Sequence, residues 1–260
     1  MSKAIAYTDQ GSGPVVVLLH GFCESKAVWA DFSRALSAGY RVICPDLPGF
    51  GESLPDRKQV SMEWFAGELH TFFQMLNIHA YHFVGHSLGG YVGLALAEKY
   101  PQELKSFCLF HSTAYADSDE KKINRDRAYK FVEKHGVETF AQSFIDPLFL
   151  LKNRQRLRAD IDRLKQIAAH TSLDGLLATT LAMRDRPDRT QVLASLECPV
   201  LLIGGRNDAT VRFETLEEQS KLSAHIALKI AEDCGHMGMF EQKALTLGWL
   251  REFLKKGTEY

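Results

Sequence analysis

The chain lacks an excess of charge of either sign: 31 lysines and arginines stand against 32 aspartates and glutamates in 260 residues. With no basic field to gather a polyanion, nucleic acid is not expected as a partner. The lysine pairs beginning at Lys121 and Lys255 are isolated and belong to solvated faces. Cysteines are few and odd in number, with none close to another: Cys23, Cys44, Cys108, Cys198 and Cys234. That excludes a disulfide framework and a cysteine-based zinc site. Cys44, Cys108 and Cys198 sit in or beside apolar runs, as buried free thiols do, which favours a reducing compartment. No apolar run approaches bilayer-spanning length, and the start, "MSKAIAYTDQGSG", has no long apolar stretch of a secretory signal. A soluble cytoplasmic protein with no membrane partner is expected. Internal repeats and low-complexity segments are missing as well. No His-x-x-x-His or carboxylate-rich loop occurs, so no metal is expected. Gly11 to Gly13 lacks the Gly-x-Gly-x-x-Gly pattern and opens no helix, so no phosphate cradle and no cofactor are expected.

What is present is 45% hydrophobic sequence, enough for a large core in one α/β folding unit. Short apolar runs alternate with helical patterns. "PVVVLLHG", "YRVICPDLPGFGES", "AYHFVGHS", "LKSFCLFHS", "CPVLLIGGRND" and "HIALKIAEDCGHM" read as strands running into loops. "AVWADFSRALSAGY", "MEWFAGELHTFFQMLNI", the run after Ser87 and "KALTLGWLREFLKK" read as helices. This alternation predicts an α/β fold with a mostly parallel, doubly wound sheet covered on both faces. Active sites in such sheets lie outside the carboxyl ends of the strands. Between about Ala116 and Thr190 the alternation stops: charge-rich helical patterns follow one another with no strand. The expected organisation is a core of residues 1–115 and 191–260, with residues 116–190 inserted as a helical lid over the carboxyl edge.

The stretch "FVGHSLGGYVGLALAEKYP" sets Ser87 on a strand-to-helix corner between Gly85 and Gly89. So tight a turn forces a positive φ on the serine and lifts its oxygen clear of the sheet, with free helix N–H groups behind it. That geometry suits a nucleophile, although a Gly-x-Ser-x-Gly turn also arises by chance. A serine hydroxyl needs a base, and the base needs an orienting acid. His236 in "DCGHMGMF" and Asp208 in "GGRNDATV" each follow a predicted strand, in the order Ser87, Asp208, His236. Acyl transfer also needs fixed N–H donors for the developing oxyanion. Leu88 follows the serine, and Phe22 lies in the loop "LLHGFCES", with Cys23 as the second choice there.

Together "LLHGF", "PDLPGFGES", "GHSLGG", "PVLLIGGRND" and "GHM" closely resemble the α/β-hydrolase fold family, in its bacterial-type branch with a helical cap. The resemblance covers nearly the whole chain outside the cap. It implies Ser87 as nucleophile, His236 as base, Asp208 as acid and Phe22 N–H in the oxyanion hole. "AMRDRPDRTQVLASLECPV" is similar to the cap-to-core return of enol-lactonases and of synthase-like members of menaquinone biosynthesis. Relatives that dehalogenate or open epoxides use an aspartate nucleophile, where this chain has Ser87. Some relatives carry the acid after the strand before the cap, where this chain has His111 and Ser112, which supports Asp208. Asp233 is too close to His236 in the same tight loop to meet its imidazole.

The expected reaction is hydrolysis of a small carboxylic ester, thioester or lactone through an acyl-enzyme. Carbon–carbon hydrolysis or a lyase step by the same residues is the alternative, and a non-catalytic ligand-binding receptor is the second. The partner is a small molecule, and the oligomeric state is left open between monomer and homodimer. Asp46 is expected to hydrogen-bond within its Pro/Gly loop. His20 and His86 are expected to brace their loops, and His79 and His82 to sit at exposed or edge positions. His111, Tyr115, Phe140, Phe144, Leu148, Phe149 and Met183 are candidates to line the substrate pocket. Arg184, in a cluster with Arg186 and Arg189, is a candidate to hold a substrate carboxylate, against a solvated helix end paired with Asp185 and Asp188.

Overall fold

In the computed structural model, which describes residues 5–54 and 59–257, seven strands form one sheet. They are β1 (Tyr7–Gln10), β2 (Val15–Leu19), β3 (Arg41–Pro45), β4 (Tyr81–His86), β5 (Leu104–Phe110), β6 (Val200–Gly205) and β7 (Ile226–Ala231). Their order is β1-β3-β2-β4-β5-β6-β7, with β1 antiparallel to β3 and every other pair parallel. The central strands are continuous apolar runs because helices cover both faces. Every residue of β4 and β6 is buried. At the edge, β7 alternates between buried and exposed positions, and β1 is largely exposed.

The helices of the sheet layers are α1 (Ala30–Leu36), α2 (Met62–Met75) and α3 (Leu88–Lys99). Between β5 and β6 come α4 (Asp119–Phe144), α5 (Arg158–Ala169), α6 (Leu173–Asp185) and α7 (Thr190–Ser195). Then follow α8 (Phe213–Ser220), α9 (Gly238–Glu241) and α10 (Lys243–Gly257). Two groups flank the sheet: α2, α3 and α7 pack together, while α10 is tied to α1 by Lys243 with Asp31 and by Arg251 Nη2 donating to Ala35 O at 2.8 Å.

From β2 the chain continues to β3 on one side, and from β4 to β5 on the other. The crevice between the carboxyl ends of β2 and β4 is the point where the winding reverses, the place where such sheets bind ligands. The segment from α4 to α6 contains no strand. Within it α4 packs on both α5 and α6. Gly136, at φ 80°, breaks α4 into two helical stretches, since only glycine takes that conformation at little cost. The segment docks on loops at the carboxyl edge. Ser172 N–H donates to Gly49 O at 3.2 Å, and His236 N–H donates to Leu148 O at 2.8 Å.

The N-terminal strand β1 has no counterpart in the sequence pattern, because four mostly exposed residues, Tyr-Thr-Asp-Gln, carry no apolar signal. His82 also departs from expectation: it is buried in β4, with its Nδ1 2.9 Å from Ser106 Oγ, and burial pushes its pKa down to about 4. His79 is exposed.

Candidate active site

The corner at Ser87 has φ 47° and ψ −111°. Two glycines make it possible. A Cβ on Gly85 would lie 2.4 Å from Gly89 O, and one on Gly89 would lie 2.6 Å from Leu19 O. The start of α3 therefore presses against the end of β2, bringing the serine beside the Phe22 loop. Ser87 N–H donates to Phe110 O at 3.1 Å, and Ser112 Oγ donates to Ser87 O at 2.7 Å. These bonds hold the strained backbone from the neighbouring strand.

Asp208 follows β6 and is buried. Its Oδ2 lies 2.8 Å from His236 Nδ1 and 3.0 Å from His111 Nδ1. Its Oδ1 accepts Thr210 N–H at 2.8 Å and Val211 N–H at 2.9 Å. Burial alone would raise the pKa of Asp208. The two imidazoles and their hydrogen bonds outweigh burial and hold the carboxyl far below the usual carboxylate range. An ionised carboxylate can only accept, so His236 Nδ1 carries a proton and Nε2 is the nitrogen left to exchange one. His236 lines the same cavity as Ser87.

The His236 loop is fixed from below by the buried Glu241. Its Oε1 accepts Gly235 N–H at 2.9 Å and Met237 N–H at 3.3 Å. Its Oε2 accepts Leu150 N–H at 2.9 Å and Asn153 Nδ2–H at 2.8 Å. A second buried carboxylate, Glu24, ties the Phe22 loop to the serine corner. Glu24 Oε2 accepts Gly21 N–H at 2.7 Å and lies 3.1 Å from His86 Nδ1, while His86 Nε2 lies 3.0 Å from His236 O. Both nitrogens of His86 thus face acceptors, as an imidazolium requires. Burial opposes the charge on each partner, but their attraction wins: the pKa of His86 is raised and that of Glu24 lowered. Leu88 occupies the first position of α3, where an N–H has no acceptor within the helix. Among the described residues, Phe22 N–H has no hydrogen-bond acceptor either.

The cavity at Ser87 and His236 measures about 40 Å³. Phe22, Glu24 and Thr210 line it from the core. Arg125, Phe144, Leu148 and Met183 line it from the segment between β5 and β6. Of the residues singled out by sequence for the pocket, Phe144, Leu148 and Met183 line it, while Phe140, Phe149, His111, Tyr115 and Arg184 do not. His111 is buried behind Asp208 at φ 50°, and its imidazole is spent on the acid. Burial lowers its pKa despite that carboxylate. Tyr115 points elsewhere, its hydroxyl donating to Glu218 Oε2 at 3.3 Å beside a separate surface depression. Arg184 reaches Asp126 Oδ1 at 2.7 Å and Asp185 Oδ1 at 2.8 Å, facing outward over a groove lined by Met62, Glu63 and Pro187. Its charge is already matched by two carboxylates.

Asp46 does the work of its loop, accepting Lys26 N–H at 2.6 Å and Glu52 N–H at 2.9 Å. His20 accepts Leu47 N–H on Nε2 at 2.9 Å, so its Nδ1–H donates to Gly21 O at 2.8 Å and the ring is neutral. Asp233 is exposed and pairs with Lys152. Nothing in the sequence pattern singles out Glu24, Glu241 or Arg125. The first two are lone carboxylates in glycine-rich or apolar surroundings, which is the only hint available. Arg125 is one charge among many on α4.

The nearest approach to a metal-ligand cluster among the described residues is His111, Asp208 and His236, whose ligand atoms lie within 4.8 Å of one another. Both Nδ1 atoms, however, already face the same carboxylate oxygen at hydrogen-bond distance. A cation there would have to replace two satisfied protons.

Residues 14–243 match the α/β hydrolase fold family. Among solved structures, an esterase of Thermogutta terrifontis with malate bound is 32% identical, superposes at a TM-score of 0.92, and the match covers 97% of this chain and 93% of that one. Lipase 1 of Psychrobacter immobilis is 27% identical over 248 residues, covering 91% of this chain and 76% of the lipase. A 2-hydroxy-6-oxononadienedioate/2-hydroxy-6-oxononatrienedioate hydrolase of Pseudomonas putida is 28% identical over 252 residues, 90% of this chain and 86% of that enzyme. With the sheet order, the serine corner and a family match across most of its length, the chain belongs to the α/β-hydrolase family.

Proposed function

We propose that the protein is a serine hydrolase of small carboxylic esters, with Ser87 as nucleophile, His236 as base and Asp208 as orienting acid. The observation that carries this reading is the 2.8 Å bond between Asp208 and His236 Nδ1, which leaves His236 Nε2 as the nitrogen to exchange a proton in the cavity of Ser87. As Ser87 Oγ attacks the acyl carbon, its proton passes to His236 Nε2. The carbonyl oxygen becomes an oxyanion held by Phe22 and Leu88 N–H groups. Collapse of the tetrahedral intermediate breaks the bond to the leaving alcohol, which takes the proton from His236. Water then attacks the acyl-enzyme by the same steps and releases the acid. Thioesters and lactones fit the same chemistry.

A cavity of about 40 Å³ holds roughly one water and no ester. Residues 116–190 therefore act as a cap, and Phe144, Leu148 and Met183 must withdraw for substrate to enter. Five free cysteines, four of them buried, fit a cytoplasmic enzyme. Among the described residues no helix is long and apolar enough to cross a membrane.

A second reading, hydrolysis of a carbon–carbon bond by the same residues, is favoured by the likeness to the Pseudomonas putida hydrolase. One experiment separates the two. Purified protein and Ser87→Ala are assayed against p-nitrophenyl esters from acetate to long chains. Ester turnover that disappears in Ser87→Ala supports the first reading. Turnover that survives in the variant overturns it. No turnover on any ester moves the carbon–carbon reading ahead.

A further inference from the structure

The catalytic reading leaves one charge in the cavity unused. Arg125, on α4, is the one arginine or lysine among the described residues that line the space holding Ser87 and His236. Its Nε–H donates to Asp117 Oδ2 at 3.1 Å. Neither of its terminal amino groups has a hydrogen-bond partner among the described residues.

Asp117 does not neutralise it alone, because that buried carboxylate is shared. Arg186 Nη1 lies 2.8 Å from Asp117 Oδ1. Arg186 is itself held in place: it donates to Met183 O at 2.7 Å and Tyr115 O at 3.0 Å, and it stacks 3.9 Å above the Tyr91 ring. Two guanidinium groups thus share one carboxylate, and the surplus positive charge falls on Arg125, the one that reaches the cavity. The other acids nearby are spoken for. Glu24 is paired with His86, and Asp208 accepts from two imidazoles and two backbone N–H groups. The rest of the lining is largely apolar: Phe22, Phe144, Leu148 and Met183. Arg125 is partly exposed, so its unused donors are open to water or to an anion, and a carboxylate would match them within a largely apolar wall.

We infer that the substrate carries a carboxylate a few bonds from the scissile carbonyl, and that the two terminal amino groups of Arg125 bind it. Two parallel N–H donors from one planar group match the two oxygens of a carboxylate. This inference rests on Ser87 being the nucleophile. Arg125 is a specificity residue: it touches the substrate away from the reacting atoms. Because it sits on α4, it moves with the cap and carries the anion inward as the cap closes.

The test pairs ethyl hydrogen succinate with ethyl 4-methylpentanoate, which replaces the carboxylate by an isopropyl group of the same shape. Hydrolysis is followed by pH-stat for the native protein, Arg125→Lys and Arg125→Met. The native protein is expected to favour the half-ester in kcat/KM. That preference is expected to fall by about 10- to 100-fold in Arg125→Met, with Arg125→Lys between them. Binding of both esters is also measured by calorimetry to Ser87→Ala and to Ser87→Ala/Arg125→Met, where no turnover is needed. Tighter binding of the half-ester that is lost with Arg125 supports the anion site even if no ester is ever hydrolysed, in which case only the esterase reading falls. Equal handling of the two esters by the native protein and by Ser87→Ala overturns the anion site, whether or not Arg125→Met folds, and leaves the esterase reading untouched.

Discussion

The two walls of the cavity are built by different physics. The core wall is held by directional bonds: Asp208 accepts four, Glu241 five, one of them from the Cys234 thiol, and His86 joins the Phe22 loop to the His236 loop. On the opposite wall the stretch from Leu148 to Asn153 shares those bonds, through Leu148 O, Leu150 N–H and Asn153 Nδ2, whereas Phe140 and Phe144 at the end of α4 meet the core by side-chain packing. Phe140 and Phe144 stack 5.0 Å apart, and Phe144 meets Phe22 edge-on at 5.7 Å. Its one charged member, Arg125, is pinned by a single bond from Nε. Directional bonds fix a reacting geometry to a fraction of an ångström and are lost all at once when a partner is removed. Aromatic contacts are worth about 0.5–1.5 kcal/mol each beyond their burial, and they reform in other arrangements. The proposed chemistry thus stands on the more rigidly bonded wall, and the proposed opening on the wall held more by packing.

That contrast can be broken by substitution, and the largest effect is expected at its centre. Asp208→Asn keeps the shape but replaces one acceptor oxygen by a donor, so that either His236 turns to the wrong tautomer or a backbone N–H loses its partner. Ester turnover should fall by a factor on the order of 10⁴ with little change in KM, measured by steady-state kinetics. The same variant carries a pH signature. Because the native carboxyl is held far below its usual range, its contribution to stability is present above about pH 4 and is lost as the pH falls below that. The stability gap between native protein and Asp208→Asn, from urea unfolding, should therefore narrow below pH 4.

A smaller effect is expected one layer out. Glu241→Gln sets an amide NH₂ against donors it cannot pair with on one side of the network. Unfolding free energy should drop by about 1–3 kcal/mol, with a loss in kcat as the His236 loop loosens. The smallest effect belongs to the outer face of α6. Arg184→Ala removes a partly exposed side chain already matched by Asp126 and Asp185. Stability should change by less than about 1 kcal/mol, and KM for the half-ester should stay the same. A large rise in KM there would move the anion site from Arg125 to Arg184.

The same two walls explain what could be seen in the sequence. Ser87, Asp208 and His236 each stand just past a strand, and short buried strands leave an unmistakable apolar run. Placing the strands therefore placed these residues at one sheet edge. β1 escaped because an exposed four-residue edge strand has no such run. The helical character of residues 116–190 was legible, but which side chains face inward was not. α4 carries charges all round, and its break at Gly136 changes the face that each turn presents. The sequence pattern marks Arg184 as the anion-binding candidate and gives nothing to mark Arg125. Only the fold shows that Arg184 meets two carboxylates and that Arg125 shares one. His111 misled for a related reason: it stands past a strand like the others, but its positive φ turns the ring under Asp208 rather than into the cavity.

The central claim is that Ser87 is the group that attacks. The most direct measurement is reaction of the purified protein with a fluorophosphonate, followed by intact-mass and peptide mass spectrometry. One adduct per chain is expected, on the peptide containing Ser87, with none formed on Ser87→Ala and ester turnover lost in proportion to labelling. An adduct on another residue, or full ester turnover in a protein that takes no label on Ser87, would contradict the account.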